Sequence, residues 1–132
     1  MKYTYPAILT EEDGKILVSV PDLAGLHTFG DDLAEALYMA QDAIEMWLWD
    51  AENNSENIPI PSSLTSLSTT LKHNQFINFV LADTEEYRKQ NDTKAVKKTL
   101  SIPSWLNYQA EKANAPFSQI LQEGLKNYLN IV

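Results

Sequence analysis

Three carboxylates, Asp22, Asp31 and Asp32, are the residues whose type and spacing come nearest to catalytic hardware. Clustered carboxylates can hold two Mg²⁺ ions and activate water for phosphodiester cleavage. Asp31 and Asp32, however, are adjacent and stand just before a helical pattern, where one caps the helix and the other offsets its dipole. The later apolar run Phe76–Leu81 carries no further carboxylate at a ligand position. A metal-dependent nuclease is thus the weaker reading, and no catalytic residue, metal or cofactor is expected. Histidine chemistry is limited to His27 and His73. His27 sits in an expected strand beside Phe29 and reads as a half-buried packing residue, while His73 lies in a polar connection. The absence of cysteine removes disulfides, thiolate metal sites and Cys nucleophiles together. Tyr38, Trp47 and Trp49 read mainly as core, with only Trp49 off the apolar stripe.

The elements that must position these residues can be read from periodicity. Tyr3–Thr10 alternates, Glu11-Glu12-Asp13-Gly14 turns the chain, and Ile16, Val18 and Val20 mark a second strand, so a hairpin is expected. Pro21-Asp22-Leu23-Ala24-Gly25 bends the chain into a short third strand over Leu26–Phe29. Asp32 followed by Glu35 opens a helix with a capping-box signature. Leu33, Ala36, Leu37, Ala40, Ile44, Trp47 and Leu48 give that helix one apolar stripe to pack on the sheet. Ile58-Pro59-Ile60-Pro61 cannot continue it. After a Ser/Thr-rich connection with at most one helical turn, Phe76–Leu81 is expected to return to the sheet as a buried strand. Asp83–Gln90 should form a short charged helix.

Beyond Asn91-Asp92 the pattern changes. Residues 1–92 carry five basic and sixteen acidic side chains, whereas residues 93–132 carry five lysines against Glu111 and Glu123, so nets of -11 and +3 make up the overall -8. A separate basic module is expected at residues 93–132, joined to an acidic body at residues 1–90. In the basic module Lys94–Ile102 alternates as a strand, and Ser104 caps a helix running to about Ala113. Pro116 then opens a second helix over Phe117–Leu129, with Ile120, Leu121, Leu125, Tyr128 and Leu129 on its core face. Forty residues of this kind bury too little surface alone, and a lone strand leaves its backbone unpaired. Both problems vanish if two copies pair their strands and intertwine their helices.

Val96-Lys97-Lys98-Thr99-Leu100-Ser101-Ile102-Pro103 followed by Phe117-Ser118-Gln119-Ile120-Leu121-Gln122-Glu123-Gly124-Leu125 resembles the ribbon-helix-helix repressors. That resemblance implies a homodimer with a two-stranded ribbon in the DNA major groove. Lys97, Thr99 and Ser101 would face base edges, Lys94 and Lys98 would contact backbone phosphates, and the helix start at Phe117 and Ser118 would present N–H groups to a phosphate. The groove-facing set contains no arginine and one lysine per subunit, and a dimerisation module is the simpler alternative role.

The run Pro21-Asp22-Leu23-Ala24-Gly25-Leu26-His27-Thr28-Phe29-Gly30-Asp31-Asp32, with Ala34-Glu35-Ala36 after it, resembles the HicB antitoxins. Ile58-Pro59, Pro61-Ser62, Asp83 and Tyr87-Arg88 extend the likeness over about residues 1–90, with Ala24 where that family often has proline. The resemblance implies an α+β fold: a partial ribonuclease-H-like antiparallel sheet with a packed helix, plus the C-terminal ribbon-helix-helix domain. It implies a cognate HicA toxin, a small basic ribonuclease, whose site the acidic domain covers. Asp22, Leu23, Asp31 and Asp32 lie in the motif and are the candidate toxin contacts. The expected assembly is a homodimer, or a heterotetramer with two toxins, that represses its own operon at an operator DNA site. A stand-alone regulator with a sensing domain is the alternative. With no apolar run of membrane-spanning length and no signal-peptide pattern at its start, the chain is expected to be cytoplasmic.

Overall fold

The structure, a computed structural model, describes residues 1–131. It divides the chain into two compact units, Met1–Thr93 and Lys94–Val132. In the first unit, β1 (Lys2–Glu12) and β2 (Lys15–Ser19) form the expected hairpin. Glu12 pairs with Lys15 across a two-residue turn in which Asp13 and Gly14 both take positive φ, 52° and 75°. Those angles define a turn whose twist matches that of the flanking strands. β3 (His27–Gly30) adds to β2, and β4 (Gln75–Asp83) adds to the far side of β1. The result is one antiparallel sheet of order β3-β2-β1-β4.

A 21-residue helix, α1 (Leu33–Asn53), lies against one face of that sheet. Its buried side chains, Ala36, Ala40, Ile44, Leu48 and Ala51, recur every three or four residues, and the first four share one core with Tyr5, Ala7, Leu9, Val18 and Val80 from the strands. Each fully buried Ile or Leu here contributes about 1.5–3 kcal/mol relative to exposure. The small alanines set how closely helix and sheet approach. Gly30 carries that closeness furthest, since a Cβ built on it would lie 2.3 Å from the backbone N of Ala36. α1 ends where Ser55 takes φ 53° and the Glu56 N–H reaches back to the Ala51 carbonyl at 2.9 Å. A short helix α2 (Leu64–Ser68) follows the Pro-rich segment, and α3 (Thr84–Asn91) follows β4, capped by Asp83.

Three expectations for this unit need correction. Phe76–Leu81 is not a buried strand: β4 is the sheet edge, and Phe79 and Leu81 are 44% and 55% exposed. Val80 and Ala82 of this strand join the core because α1 covers their face, whereas Phe79 and Leu81 lie on the face that α1 leaves uncovered. His27 and Phe29 stand on that uncovered face, both exposed, so His27 is not a packing residue; Tyr38 is likewise exposed and off the core.

The second unit holds α4 (Ser104–Lys112) and α5 (Phe117–Tyr128). Asn114 and Asn130, both in the left-handed region, end these helices, and their neighbours' N–H groups close onto the last carbonyls. Pro103, not Ser104, occupies the N-cap of α4. Residues 92–103 form no strand ladder in this single chain, where a strand was expected. The physical reason is that a ladder needs a second strand alongside, and none is assigned beside this segment among the described residues. Nor do the apolar residues of α5 form a core. Among the described residues of this unit none is buried, and Ile120, Leu125, Tyr128 and Leu129 all stand exposed.

Candidate functional site

The loop between β2 and β3 holds the first motif residues, and the structure shows what each does. Asp22 accepts the backbone N–H of Ser62 at 2.9 Å and also the Ser62 hydroxyl. It thereby pins the Pro-rich segment, which Tyr5 grips again through a hydrogen bond to the Pro59 carbonyl. Leu23 is wholly buried in the core, so its side chain is closed to a partner. Asp32 caps α1, its Oδ1 accepting the Glu35 N–H at 2.8 Å. Asp31, exposed like Asp32, lies 4.0 Å from Lys15 Nζ in an exposed pair. Lys15 also lies 5.0 Å above the Phe29 ring. These carboxylates are not gathered for a divalent ion: among the described residues no three His, Asp or Glu side chains converge on a metal position.

The set expected to meet DNA lies in the second unit. Lys94, Lys97, Lys98, Thr99 and Ser101 are all exposed on the segment that precedes α4. Phe117 and Ser118 form the first turn of α5, where Pro116 at the N-cap supplies no side-chain acceptor to the free N–H groups.

A second polar constellation, which the sequence did not single out, lies between α1 and α3. Tyr38, Asp42, Glu45, Asp83, Glu86 and Tyr87 line a groove of about 250 Å³. Glu45 accepts the Asp83 N–H at 3.3 Å, and Asp83 in turn caps α3 through the N–H groups of Glu85 and Glu86. Burial raises the Glu45 carboxyl above its ordinary value, against the lowering effect of that hydrogen bond, and the charges of Asp83, Asp42 and Glu86 raise it further. Burial, then Asp42 and Glu45, push the Tyr87 hydroxyl up as well. The ion pairs Lys15–Asp31 and Arg88–Glu52 lie outside this group of four carboxylates. Nothing in one dimension joins Asp42 to Glu86, which is why reasoning from spacing passed over the groove. Below it, Glu52 ties the unit together, accepting Tyr3 at 3.3 Å and Thr84 at 3.1 Å beside Arg88. Burial and that carboxylate hold the Tyr3 hydroxyl above its usual range.

These features define a two-unit α+β protein whose motif loop is engaged in its own packing and whose uncompensated charge lies elsewhere. The family model for the HicB-like antitoxin of bacterial toxin-antitoxin systems matches residues 5–123, and the chain belongs to that family. Among curated proteins it is 39% identical, over 59 residues, to UPF0150 protein Ta0767 of Thermoplasma acidophilum, a stretch that is 45% of this chain and 84% of that protein. Among solved structures, a chain of a toxin–antitoxin complex from Streptococcus pneumoniae is 26% identical, with a TM-score of 0.63 over 97% of this chain and 99% of that one. The Burkholderia pseudomallei antitoxin HicB shares the fold at 20% identity, with a TM-score of 0.52 over 96% of both chains.

Proposed function

We propose that the acidic N-terminal unit neutralises a small basic ribonuclease of HicA type, while two C-terminal units pair to bind operator DNA and repress the operon. The observation that carries the division of labour is the state of the second unit. It has an apolar helix stripe with no buried residue and an extended segment with no partner strand, and a second copy would supply both. Pairing of residues 94–102 from two copies would form the ribbon on which Lys97, Thr99 and Ser101 alternate toward one side. Lys94 and Lys98, with the α5 N-termini at Phe117 and Ser118, would then meet phosphates. For the first unit, the support is family membership, the net charge of -11 over residues 1–92, and a 26%-identical chain solved within a toxin–antitoxin complex. A strongly acidic surface speeds encounter with a basic ribonuclease and competes with its RNA. Of the four motif residues, Asp31 and Asp32 are the exposed ones available for such a contact; Asp22 and Leu23 act through the loop they hold.

Native mass spectrometry of the tagged full chain, isolated gently from its source cells, tests the assembly. The expected species is a dimer carrying one or two copies of a small basic protein whose ribonuclease activity returns when the complex is separated. A bare dimer at low salt would favour a stand-alone regulator. Lys97→Ala is expected to weaken operator binding by about 1–3 kcal/mol while leaving random DNA nearly unaffected. Equal loss on both DNAs would make Lys97 a phosphate contact instead.

A further inference from the structure

The acidic groove does not end at Tyr38. It continues along the outer edge of β4 as a second groove of about 270 Å³, lined by Leu37, Tyr38, Gln41 and residues Asn78–Leu81. This edge is open backbone. The N–H of Thr84 bonds to Met1, and the carbonyl of Asn74 accepts from Glu11, so even-numbered residues of the strand face β1. Odd-numbered residues face outward, as their capture by α1 side chains shows: Gln41 donates to the Leu81 carbonyl at 3.0 Å and Glu45 accepts from Asp83. Those two contacts cover the C-terminal end of the edge. The N–H and C=O groups of Ile77 and Phe79 point away from the sheet in a stretch with no charge, no proline and no bulge, since the pairing runs unbroken from Lys2–Asp83 to Thr10–Gln75. Native proteins blunt such edges with lysine, proline or a covering segment.

We infer that the β4 edge is a strand-addition site for an extended segment of the toxin in which apolar residues alternate with lysines or arginines, the cations seated against Asp42, Glu45, Asp83 and Glu86. The inference rests on the toxin-neutralising reading above. Main-chain bonds to Ile77 and Phe79 supply affinity, and the side chains on either side of an added strand supply selectivity. On the outer face those side chains meet exposed Phe79 and Leu81; on the helix side they meet Leu37, Tyr38 and the carboxylates. Charge complementarity chooses the occupant. A second copy would bring another strongly acidic unit against a groove already crowded with carboxylates, whereas a basic segment relieves the repulsion that raises the Glu45 carboxyl.

The test uses the ¹⁵N-labelled full chain and the peptide acetyl-Val-Arg-Val-Lys-Val-Arg-Val-amide. Amide shifts and slowed hydrogen exchange are expected at Ile77, Phe79 and Leu81, and the toxin recovered with the chain should displace the peptide. The double variant Asp42→Lys, Glu86→Lys, its fold checked by unchanged amide signals from β1 to β3, should bind the peptide about tenfold or more weakly. The same peptide with glutamates for its cations should not bind. Shifts confined to the 21–32 loop, or undiminished binding by the double variant, would overturn the site. Peptide bound at the edge but undisturbed by bound toxin would overturn the toxin as its occupant. Failure of the full chain to bind toxin at all would instead sink the neutralising reading and leave the edge site standing.

Discussion

Asp22 shows how a motif residue can serve the fold from within its own loop. Its carboxylate takes two hydrogen bonds from Ser62 and so holds a segment forty residues away in sequence. Charge-assisted bonds of this kind are each worth about 1.5–3 kcal/mol. Asp22→Ala is therefore expected to lower stability by about 2 kcal/mol in urea unfolding at pH 7, and a loss below about 0.5 kcal/mol would show the anchor to be idle. The cap expected at the Asp31-Asp32 pair is made by Asp32, whereas the bond between Asp22 and Ser62 joins segments that spacing alone does not connect. Glu45 was legible only as a polar helix residue, because its environment is assembled from α1, α3 and the end of β4. Its carboxyl is raised, so across the window above the ordinary carboxylate value the native state holds more protons than the unfolded chain. Stability from this group is fully present below that window and is lost as pH rises through the folded value. Glu45→Gln keeps an acceptor for the Asp83 N–H and removes one charge from the cluster. The variant should be more stable than the parent by about 0.5 kcal/mol at pH 7, with the difference closing toward pH 4; an unchanging difference would place the effect outside titration.

At the scale of elements, what could be read in advance was local, and what could not was a matter of neighbours. Alternation over Tyr3–Thr10, the Asp13-Gly14 turn and the α1 stripe each depend on residues a few positions apart, and all appear as expected. Phe76–Leu81 looked buried because apolar density says nothing about whether both faces of a strand are covered; here only one is. Residues 94–102 alternate as a strand should, yet a ladder needs a second strand that a single chain lacks. Gly30 joins local and tertiary requirements. In sequence it is a turn glycine ahead of the Asp31-Asp32 pair, while in the fold it is where the first turn of α1 rests on β3. A Cβ there would meet Ala36 N at 2.3 Å, Ala36 Cα at 2.7 Å and the Glu35 carbonyl carbon at 2.8 Å, all backbone atoms that cannot rotate aside. Gly30→Ala should thus displace the helix start and cost about 3 kcal/mol, whereas Gly124→Ala, inside α5 with nothing within 4 Å, should favour its helix by about 0.5–1 kcal/mol. Equal melting temperatures for the two variants would refute the close approach.

At the scale of the whole molecule, the two units differ in what completes them. Met1–Thr93 encloses its own core, with Tyr5, Leu9, Leu23, Ile44 and Leu48 fully buried. None of the described residues of the second unit is fully buried, and in the paired reading proposed above its helices gain their stability from contacts with another molecule. If that molecule is a second copy, folding of this unit is coupled to association and its apparent stability depends on protein concentration by mass action. Unfolding of the first unit carries no such dependence. Urea denaturation at two concentrations a hundredfold apart should separate these behaviours, followed by Trp105 fluorescence in a Trp47→Phe, Trp49→Phe background and by amide signals of the sheet. A bimolecular association stabilises by RT ln of the concentration ratio, about 2.7 kcal/mol over that range, so the Trp105 transition should move to higher urea while the sheet transition stays fixed. Leu125→Glu, which places a charge on the exposed α5 stripe, should abolish both the concentration dependence and DNA binding without moving the sheet transition. If the Trp105 transition stays put at both concentrations, the second unit is complete in one chain, and paired ribbons cannot be the source of its affinity for DNA.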